Sequence, residues 1–355
     1  MKKVLIAMSG GVDSSVAAHL LSEQGYDCIG AMMKLFDGEE NTSGSTRTCC
    51  SVQDVEDARA VALSLGIPFF VFNFTDSFEE KIINRFVGAY LNGRTPNPCI
   101  DCNRFMKFEK FLVRAMEMEA RYIATGHYAK ITYETNGRYL LSRGKDQTKD
   151  QTYVLYSMTQ SQLSRTLFPL GELTKENVRD IAASLMLSTA TKRDSQDICF
   201  APDKDYAGFI EKHTGKASQA GSFVSPGGEV LGQHRGLIHY TIGQRKGLGL
   251  HGLEPQYVTA LDPGLNTVTV GKSDDLFSKS LLANDINLIP VERLNTPMNV
   301  QAKIRYSHPA QPAKVWQTDI DELHIEFEKP QRAITPGQAV VLYDGDVVVG
   351  GGTIV

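Results

Sequence analysis

Val4-Leu5-Ile6-Ala7-Met8 runs directly into Ser9-Gly10-Gly11-Val12-Asp13-Ser14-Ser15, and this junction decides the fold. An unbroken apolar run closed by a glycine pair reads as a strand buried on both faces. The Gly, Ser and Asp residues then allow a sharp turn into a helix expected from Val16 to Gln24 and ended by Gly25. Such a turn presents backbone N–H groups and hydroxyls at the positive end of a helix, where an anion, best a phosphate, is held. The stretch lacks the lysine of the P-loop and the spacing of the dinucleotide fingerprint, so phosphoryl transfer and hydride transfer fit it poorly. A simple strand-to-helix turn capped by Asp13 or Ser14 is the plainer alternative.

Outward from that turn, short apolar runs alternate with helical patterns. Tyr26 to Leu35 reads as a strand, Val52 to Leu65 as a helix closed by Gly66, and Phe69 to Phe74 as a strand. Helices are expected from Phe78 to Leu91 and from Phe105 to Ala120, then the strand Tyr122-Ile123-Ala124-Thr125. This is an α/β, doubly wound, Rossmann-like pattern, whose ligands bind at the carboxyl ends of the strands; the turns after Met8, Leu35 and Thr125 are expected to face one crevice. A short helix from Tyr206 to His213 and Gly-rich segments around Val224, Val230, Ile238 and Tyr257-Val258-Thr259 indicate a small mixed α/β domain. From about Leu281 the strands Val300–Ile304, Ala313–Trp316, His324–Phe327, Ala339–Tyr343 and Val347–Val349, with the turn Asp344-Gly345, indicate an antiparallel barrel or sandwich. The expected domains are 1–202, 203–275 and 276–355.

The composition agrees with several folded units: 355 residues, 42% apolar, 22% charged and 8% aromatic, which excludes disordered and fibrous classes. No apolar run approaches the roughly 18–20 residues that span a bilayer. The first strand meets its glycine turn too soon for a signal peptide, so a cytoplasmic protein with no membrane partner is expected. With 37 Lys+Arg against 41 Asp+Glu, the net charge of −4 argues against indiscriminate coating of nucleic acid but permits a local basic face.

Six cysteines, Cys28, Cys49, Cys50, Cys99, Cys102 and Cys199, suit core packing, metal binding or sulfur chemistry better than a disulfide framework. Arg94-Thr95-Pro96-Asn97-Pro98-Cys99-Ile100-Asp101-Cys102-Asn103 leads two thiols into a helix, whose N-terminus favours thiolate. Lys192-Arg193-Asp194-Ser195-Gln196-Asp197-Ile198-Cys199-Phe200 offers a third thiol after two cations. Sulfur transfer, a metal or iron–sulfur site on Cys99, Cys102 and Cys199, and buried structural cysteines all compete. Structural zinc usually needs four ligands, and no second ligand pair is present. Cys28, in an apolar strand, reads as packed; Cys49 and Cys50 follow a Gly/Ser/Thr stretch and receive no role, and the loop Asp37 to Thr48 is expected to move without ligand.

Ser9 to Ser15 after an N-terminal strand resembles the pyrophosphate loop (PP-loop) of the ATP pyrophosphatases, which adenylate an oxygen and expel pyrophosphate. Further motifs resemble the bacterial tRNA-specific 2-thiouridylases, the MnmA/TrmU family, along the full length. They are Gly93 to Pro98, Cys102-Asn103, Thr125-Gly126-His127-Tyr128, Lys149-Asp150-Gln151, Asp194-Ser195 with Ile198-Cys199-Phe200, Gly243 to Gly249, and Thr335-Pro336-Gly337-Gln338. The resemblance implies a sulfurtransferase that adenylates the C2 oxygen of wobble uridine 34 with ATP and then delivers sulfur, giving 2-thiouridine and AMP. By the same resemblance Cys199 carries the persulfide, and Cys102 is the nucleophile that forms a disulfide with it as sulfur leaves. ATP lies along Ala7, Met8, Ser9, Gly10, Gly11, Val12, Asp13 and Ser14, with Met33 and Gly126 at the nucleoside and Asp13 organising Mg2+ or phosphate.

The implied partners are tRNA, held at its anticodon stem-loop, and a sulfur donor such as a cysteine desulfurase or a sulfur-relay protein. From Val230 to Leu253 there is no Asp or Glu but there are Arg235, Arg245 and Lys246, suited to phosphates. Resemblance adds Lys149, Asp150, Gln151, Arg305, Tyr306, His127 and Gln338 as tRNA contacts; His127 has a rival reading as general base. The family pattern has Asp where this chain has Cys99. That departure removes a carboxylate and leaves open a 4Fe–4S cluster on Cys99, Cys102 and Cys199, its fourth iron position available to sulfide. A PP-loop synthetase adenylating a small molecule is the alternative enzyme, although it has no use for three thiols; a non-catalytic RNA-binding or iron–sulfur sensor protein is the alternative of another class.

Overall fold

The computed structural model describes residues 2–36, 51–192, 198–201, 205–250 and 254–355. Arg193 to Asp197, Cys49, Cys50, the last three residues of the Val230–Leu253 stretch, the loop 37–48 and the expected boundary at 202–203 lie outside them. The chain divides into two compact units: residues 1–82, 99–203 and 345–349 form the first, and 83–98, 204–344 and 350–355 the second.

The first unit is built on β1 (Lys3–Ala7), α1 (Val12–Glu23), β2 (Asp27–Lys34), α2 (Val52–Ser64), β3 (Phe69–Asn73) and β4 (Tyr122–Ala124). A hairpin of β5 (Ala129–Tyr133) and β6 (Tyr139–Arg143) follows, then β7 (Thr166–Leu167). The parallel sheet has the order β3-β2-β1-β4-β7. Its strand order turns back between β1 and β4, so the crevice at their carboxyl ends is framed by Met8–Ser14 on one side and Thr125–Tyr128 on the other. Val4 and Ile6 of β1 and Met8 just beyond it meet Val16, Ala17 and Leu21 of α1 in one core.

Two expected helices differ. The span from Phe78 to Leu91 is three segments, Thr75–Phe78, a wide π-type turn Glu79–Ile83, and Asn84–Leu91. The helix expected from Phe105 starts earlier, at Pro98: the turn Pro98–Asp101 passes into a π-helical stretch Cys102–Lys110 and then Phe111–Glu117. Proline suits a first helical position because its missing N–H has no partner to lose there. Cys99 and Cys102 therefore sit inside the helix.

The second unit carries the sheet β10-β11-β8-β9, from β8 (Gly221–Val224), β9 (Val230–His234), β10 (Tyr257–Asp262) and β11 (Thr267–Gly271). Phe223, Tyr240, Val258, Val268 and Val270 form its core. The remaining strands are β12 (Phe277–Leu288), β13 (Met298–Lys303), β14 (Gln311–Asp319), β15 (Glu322–Arg332), β16 (Ala339–Asp344) and β17 (Val347–Ile354). They run β12-β15-β14-β13-β16-β17 and close where β12 pairs with β17, from Ala283 opposite Ile354 to Leu288 opposite Gly350. The structure is thus a barrel rather than a sandwich. Helix Asn84–Leu91 belongs to this unit through Phe86 and Tyr90, which meet Tyr206 and Phe209 of helix Tyr206–Thr214.

Candidate active site

Gly10, at φ +70°, turns the chain out of β1, and Gly11 is the N-cap of α1. The helix begins at Val12, earlier than its apolar period suggests, because Ser14 and Ser15 donate their hydroxyls to the Gly11 carbonyl at 3.1 and 2.9 Å. Ser14 Oγ also accepts from the Ser9 amide at 3.1 Å, closing the loop on itself. Asp13 is not the cap; it lies in the first turn, with its carboxylate gripped by Lys175 Nζ at 2.8 Å to each oxygen and by the Tyr128 hydroxyl at 2.7 Å. Lys175 is buried at the start of helix Lys175–Ser184, and its amide donates to Asp146 at 2.9 Å. Neither Lys175 nor Tyr128 stands out in the sequence as a partner of Asp13.

Gly126 closes the other side of the crevice. A Cβ there would come within 2.8 Å of the Asp13 carbonyl carbon and 2.9 Å of the Ser14 amide, so only glycine lets β4's exit lie against the loop. Met33 is buried on β2. His127 is buried, its Nδ1 2.7 Å from Thr125 Oγ1 and its Nε2 3.5 Å from Lys107 Nζ. Burial, reinforced by the Lys107 ammonium, holds its pKa well below the usual histidine value, so the ring is neutral. A base so far depressed is poorly matched to proton abstraction near neutral pH, which weakens the general-base reading.

Cys99 is exposed, in the first turn of its helix, and Cys102, at the start of the π-helical stretch, is partly exposed, as is Cys199. Asn103, next to Cys102, is buried and donates to the Val154 carbonyl at 2.9 Å, which fixes this part of the helix. Cys28 is buried on β2, and burial, with the Asp27 charge, pushes its thiol up to about 11. That suits inert packing rather than nucleophilic chemistry. Among the described residues no three His, Cys, Asp or Glu side chains come together to hold a metal ion. Cys99, Cys102 and Cys199 are not gathered into such a group, and Asp13 is engaged by Lys175.

The other expected contacts divide between the units. In the first, Gln151 Oε1 accepts from the Tyr128 amide at 2.9 Å, while Asp150 accepts from Thr152 N and Oγ1 and lies 3.5 Å from Arg143 Nε; Lys149 precedes them in a short 3-10 turn. In the second, Arg245 and Lys246 are exposed, and Arg245 lines a cleft of about 400 Å3 together with Gly247 to Leu250 and Glu254 to Gln256. Tyr306 is exposed, with Lys303 Nζ 5.4 Å from its ring centre. Arg305 binds the Ala333 carbonyl and Thr335 Oγ1, and Gln338 Nε2 donates to the Thr95 carbonyl at 2.7 Å, so both brace the unit itself.

Comparison with protein families places this arrangement. Residues 2–203 match the tRNA methyl transferase HUP domain, 207–272 the tRNA methyl transferase PRC-barrel domain and 278–354 the aminomethyltransferase β-barrel domain. The fold and these matches define a class, the tRNA-modifying enzymes in which a HUP-type α/β domain precedes two β domains. The tRNA-specific 2-thiouridylase MnmA of Acetivibrio thermocellus is 54% identical over 355 residues, covering 99% of each chain. That of Lachnoclostridium phytofermentans is 52% identical over 356 residues and covers 100% of both, and that of Clostridioides difficile is 51% identical across 99% of this chain and 98% of its own. The chain belongs to the MnmA tRNA-specific 2-thiouridylase family. No helix among the described residues is long and apolar enough to cross a membrane.

Proposed function

We propose that this protein uses ATP to convert the wobble uridine of tRNA to 2-thiouridine. The observation that supports this most is the similarity of 51–54% to named tRNA-specific 2-thiouridylases over essentially the whole chain. In this reading ATP lies along Ala7 to Ser14, with Met33 and Gly126 at its nucleoside and Mg2+ at its phosphates. Uridine O2 attacks the α-phosphorus, pyrophosphate leaves and N3 loses its proton. The adenylated oxygen is then a good leaving group. The terminal sulfur of a Cys199 persulfide attacks C2, and AMP departs with the bonding electrons. The Cys102 thiolate attacks the Cys199 sulfur, forming a disulfide and leaving sulfur on C2 as N3 regains a proton; an external thiol resets the pair.

Residues 1–202 would carry this chemistry, and 203–275 and 276–355 would grip the anticodon stem-loop. Arg245, Lys246, Arg305 and Tyr306 would supply phosphate and stacking contacts from that unit, with Gln338 shaping the loop it braces. His127 and Lys149 to Gln151 would do so from the first. The sulfur donor would be a cysteine desulfurase or a relay protein, and the setting the cytoplasm. Cys99 stands where the family pattern places a carboxylate, and its exposure suits a residue at the substrate rather than in the core.

The test is thiolation of unmodified tRNA by anaerobically purified protein with Mg-ATP and a persulfide or sulfide donor, scored by nucleoside mass spectrometry. Wild type should form 2-thiouridine, Cys199→Ala none, and Cys99→Asp should retain activity. Loss of activity together with iron in Cys99→Asp would favour the cluster route. Methyl incorporation from S-adenosylmethionine without thiolation would favour the methyl transfer named in the family descriptions.

A further inference from the structure

The Gly10 carbonyl, at the turn out of β1, is held from outside its own loop. Lys192 Nζ donates to it at 2.9 Å and also donates to Asp54 Oδ1 and Asp57 Oδ2, at 2.6 Å each. An ammonium has three N–H donors, so all of them are used here. The side chains are largely buried, at 18% exposure for Lys192 and 16% and 17% for the two acids. Burial opposes the charge on Lys192, but the hydrogen bonds and charges of Asp54 and Asp57 outweigh it and raise its pKa.

Both acids are braced on α2. Asp54 closes a capping box with Ser51, its Oδ2 accepting from Ser51 N at 3.2 Å and Ser51 Oγ at 2.8 Å while its amide donates back to that hydroxyl at 3.2 Å. Asp57 Oδ1 accepts from Gln53 Nε2 at 2.8 Å, which leaves Oδ2 to Lys192. The loop is seated on the same turn: a Cβ added to Gly10 would overlap the Asp54 carbonyl oxygen and lie 2.9 Å from Asp54 Cα. Fixing the Gly10 carbonyl also aims the next amide. The Gly10–Gly11 peptide is trans, so its C=O and N–H point in opposite directions, and the Gly11 N–H faces away from Lys192. A carbonyl that accepts from an ammonium polarises its peptide, which makes the N–H on the far side a stronger donor.

We propose that Lys192, held by Asp54 and Asp57, is a positioning residue that aims the Gly11 amide at the diphosphate end of ATP and at the pyrophosphate released from it. Lys192 itself touches neither phosphate nor tRNA, and its role rests on the reading of Ala7 to Ser14 as the nucleotide site. The clamp is needed because the peptide lies between two glycines, where rotation of the peptide plane meets little steric penalty. Without Lys192 the plane turns over and sets the Gly10 oxygen where the amide stood, so a donor to the anion is replaced by an acceptor that repels it. The Gly11 carbonyl has its own anchors in the Ser14 and Ser15 hydroxyls, so the change stays confined to the one peptide. Adenosine carries no phosphate and binds without help from the clamp.

The experiment measures equilibrium binding of ATP, inorganic pyrophosphate and adenosine by calorimetry for wild type, Lys192→Met, Lys192→Arg and Asp57→Asn. A lost hydrogen bond to a charged group corresponds to about 10–100-fold in affinity. Lys192→Met should weaken ATP and pyrophosphate by about tenfold or more and leave adenosine unchanged. Lys192→Arg should recover part of the loss, and Asp57→Asn should fall between. Asp57→Asn keeps the test decisive if melting shows Lys192→Met unfolded. Unchanged affinity for ATP and pyrophosphate in folded variants, or an equal loss for adenosine, would reduce Lys192 to a scaffold residue and overturn the inference. A wild type that binds neither ATP nor pyrophosphate would instead overturn the nucleotide reading of the loop, and the clamp with it.

Discussion

Lys175 Nζ sits 2.8 Å from both carboxylate oxygens of Asp13, a partner 162 positions away in the chain. The pair ties the first turn of α1 to the first turn of a distant helix, and the Tyr128 hydroxyl completes the grip. Removing one member strands a partly buried charge. Lys175→Met should therefore destabilise the fold by about 1–3 kcal/mol, and Tyr128→Phe by about 0.5–1.5 kcal/mol. Urea unfolding followed by circular dichroism checks both; a neutral Lys175→Met would show that the pair contributes no net stability.

Gly126 and Gly88 should respond in opposite directions to alanine. At Gly126 the new methyl meets the backbone of Asp13 and Ser14, which cannot yield as a side chain can. Overpacking of this kind costs about 1–3 kcal/mol, and ATP-dependent AMP formation should fall with it. Gly88, inside helix Asn84–Leu91, has nothing within 4 Å of an added Cβ. Gly88→Ala should raise stability by about 0.5–1 kcal/mol. Equal melting shifts for the two variants would contradict the close approach at Gly126.

Acid should weaken the first unit through His127. The unfolded chain takes up a proton near pH 6.5, whereas the buried ring, beside Lys107, refuses it until the pH is much lower. The stability contributed by neutral His127 is complete above about pH 6.5 and is lost as pH falls from there through the native pKa. His234, His239 and His308, each depressed first by burial, act in the same sense on the second unit. His127→Gln should flatten the decline in melting temperature between pH 7.5 and 5.5. The same slope in variant and wild type would sink the assignment.

Gly337 and Gln338 should tolerate little change for a reason local to the second unit. The Thr95 amide donates to the Pro336 carbonyl at 2.9 Å, and Gln338 returns a bond to the Thr95 carbonyl. A Cβ on Gly337, whose φ is +89°, would lie 3.0 Å from both Arg94 Cβ and Thr95 N. Gln338→Ala should cost about 1 kcal/mol, and Gly337→Ala more. Faster proteolysis of the Arg94–Pro98 stretch in both variants is the expected readout.

The strand-turn-helix at Val4 to Ser15 was legible because its residues are consecutive and each obeys a local rule. The barrel strands were legible from alternation. The π-helical stretch at Cys102–Lys110 was not, since hydrogen bonding one residue wider than an α-helix leaves little trace in composition. The β5–β6 hairpin had a signal in Asn136-Gly137, which marks its turn. Lysines 107 and 175 had none: each becomes informative only when folding brings it to His127 or Asp13, and a single lysine in a charged surface pattern does not announce a distant partner.

Helix Asn84–Leu91 packs with Tyr206 and Phe209, although the first unit resumes immediately after Pro98. On the ribosome Phe86 is made 120 residues before Tyr206. At ~5–20 residues per second that is a wait of roughly 6–24 s before the Tyr206 and Phe209 rings can pack against it. A fragment ending near residue 203 would lack Tyr206 and Phe209, and with them the aromatic rings that Phe86 and Tyr90 meet in the folded chain.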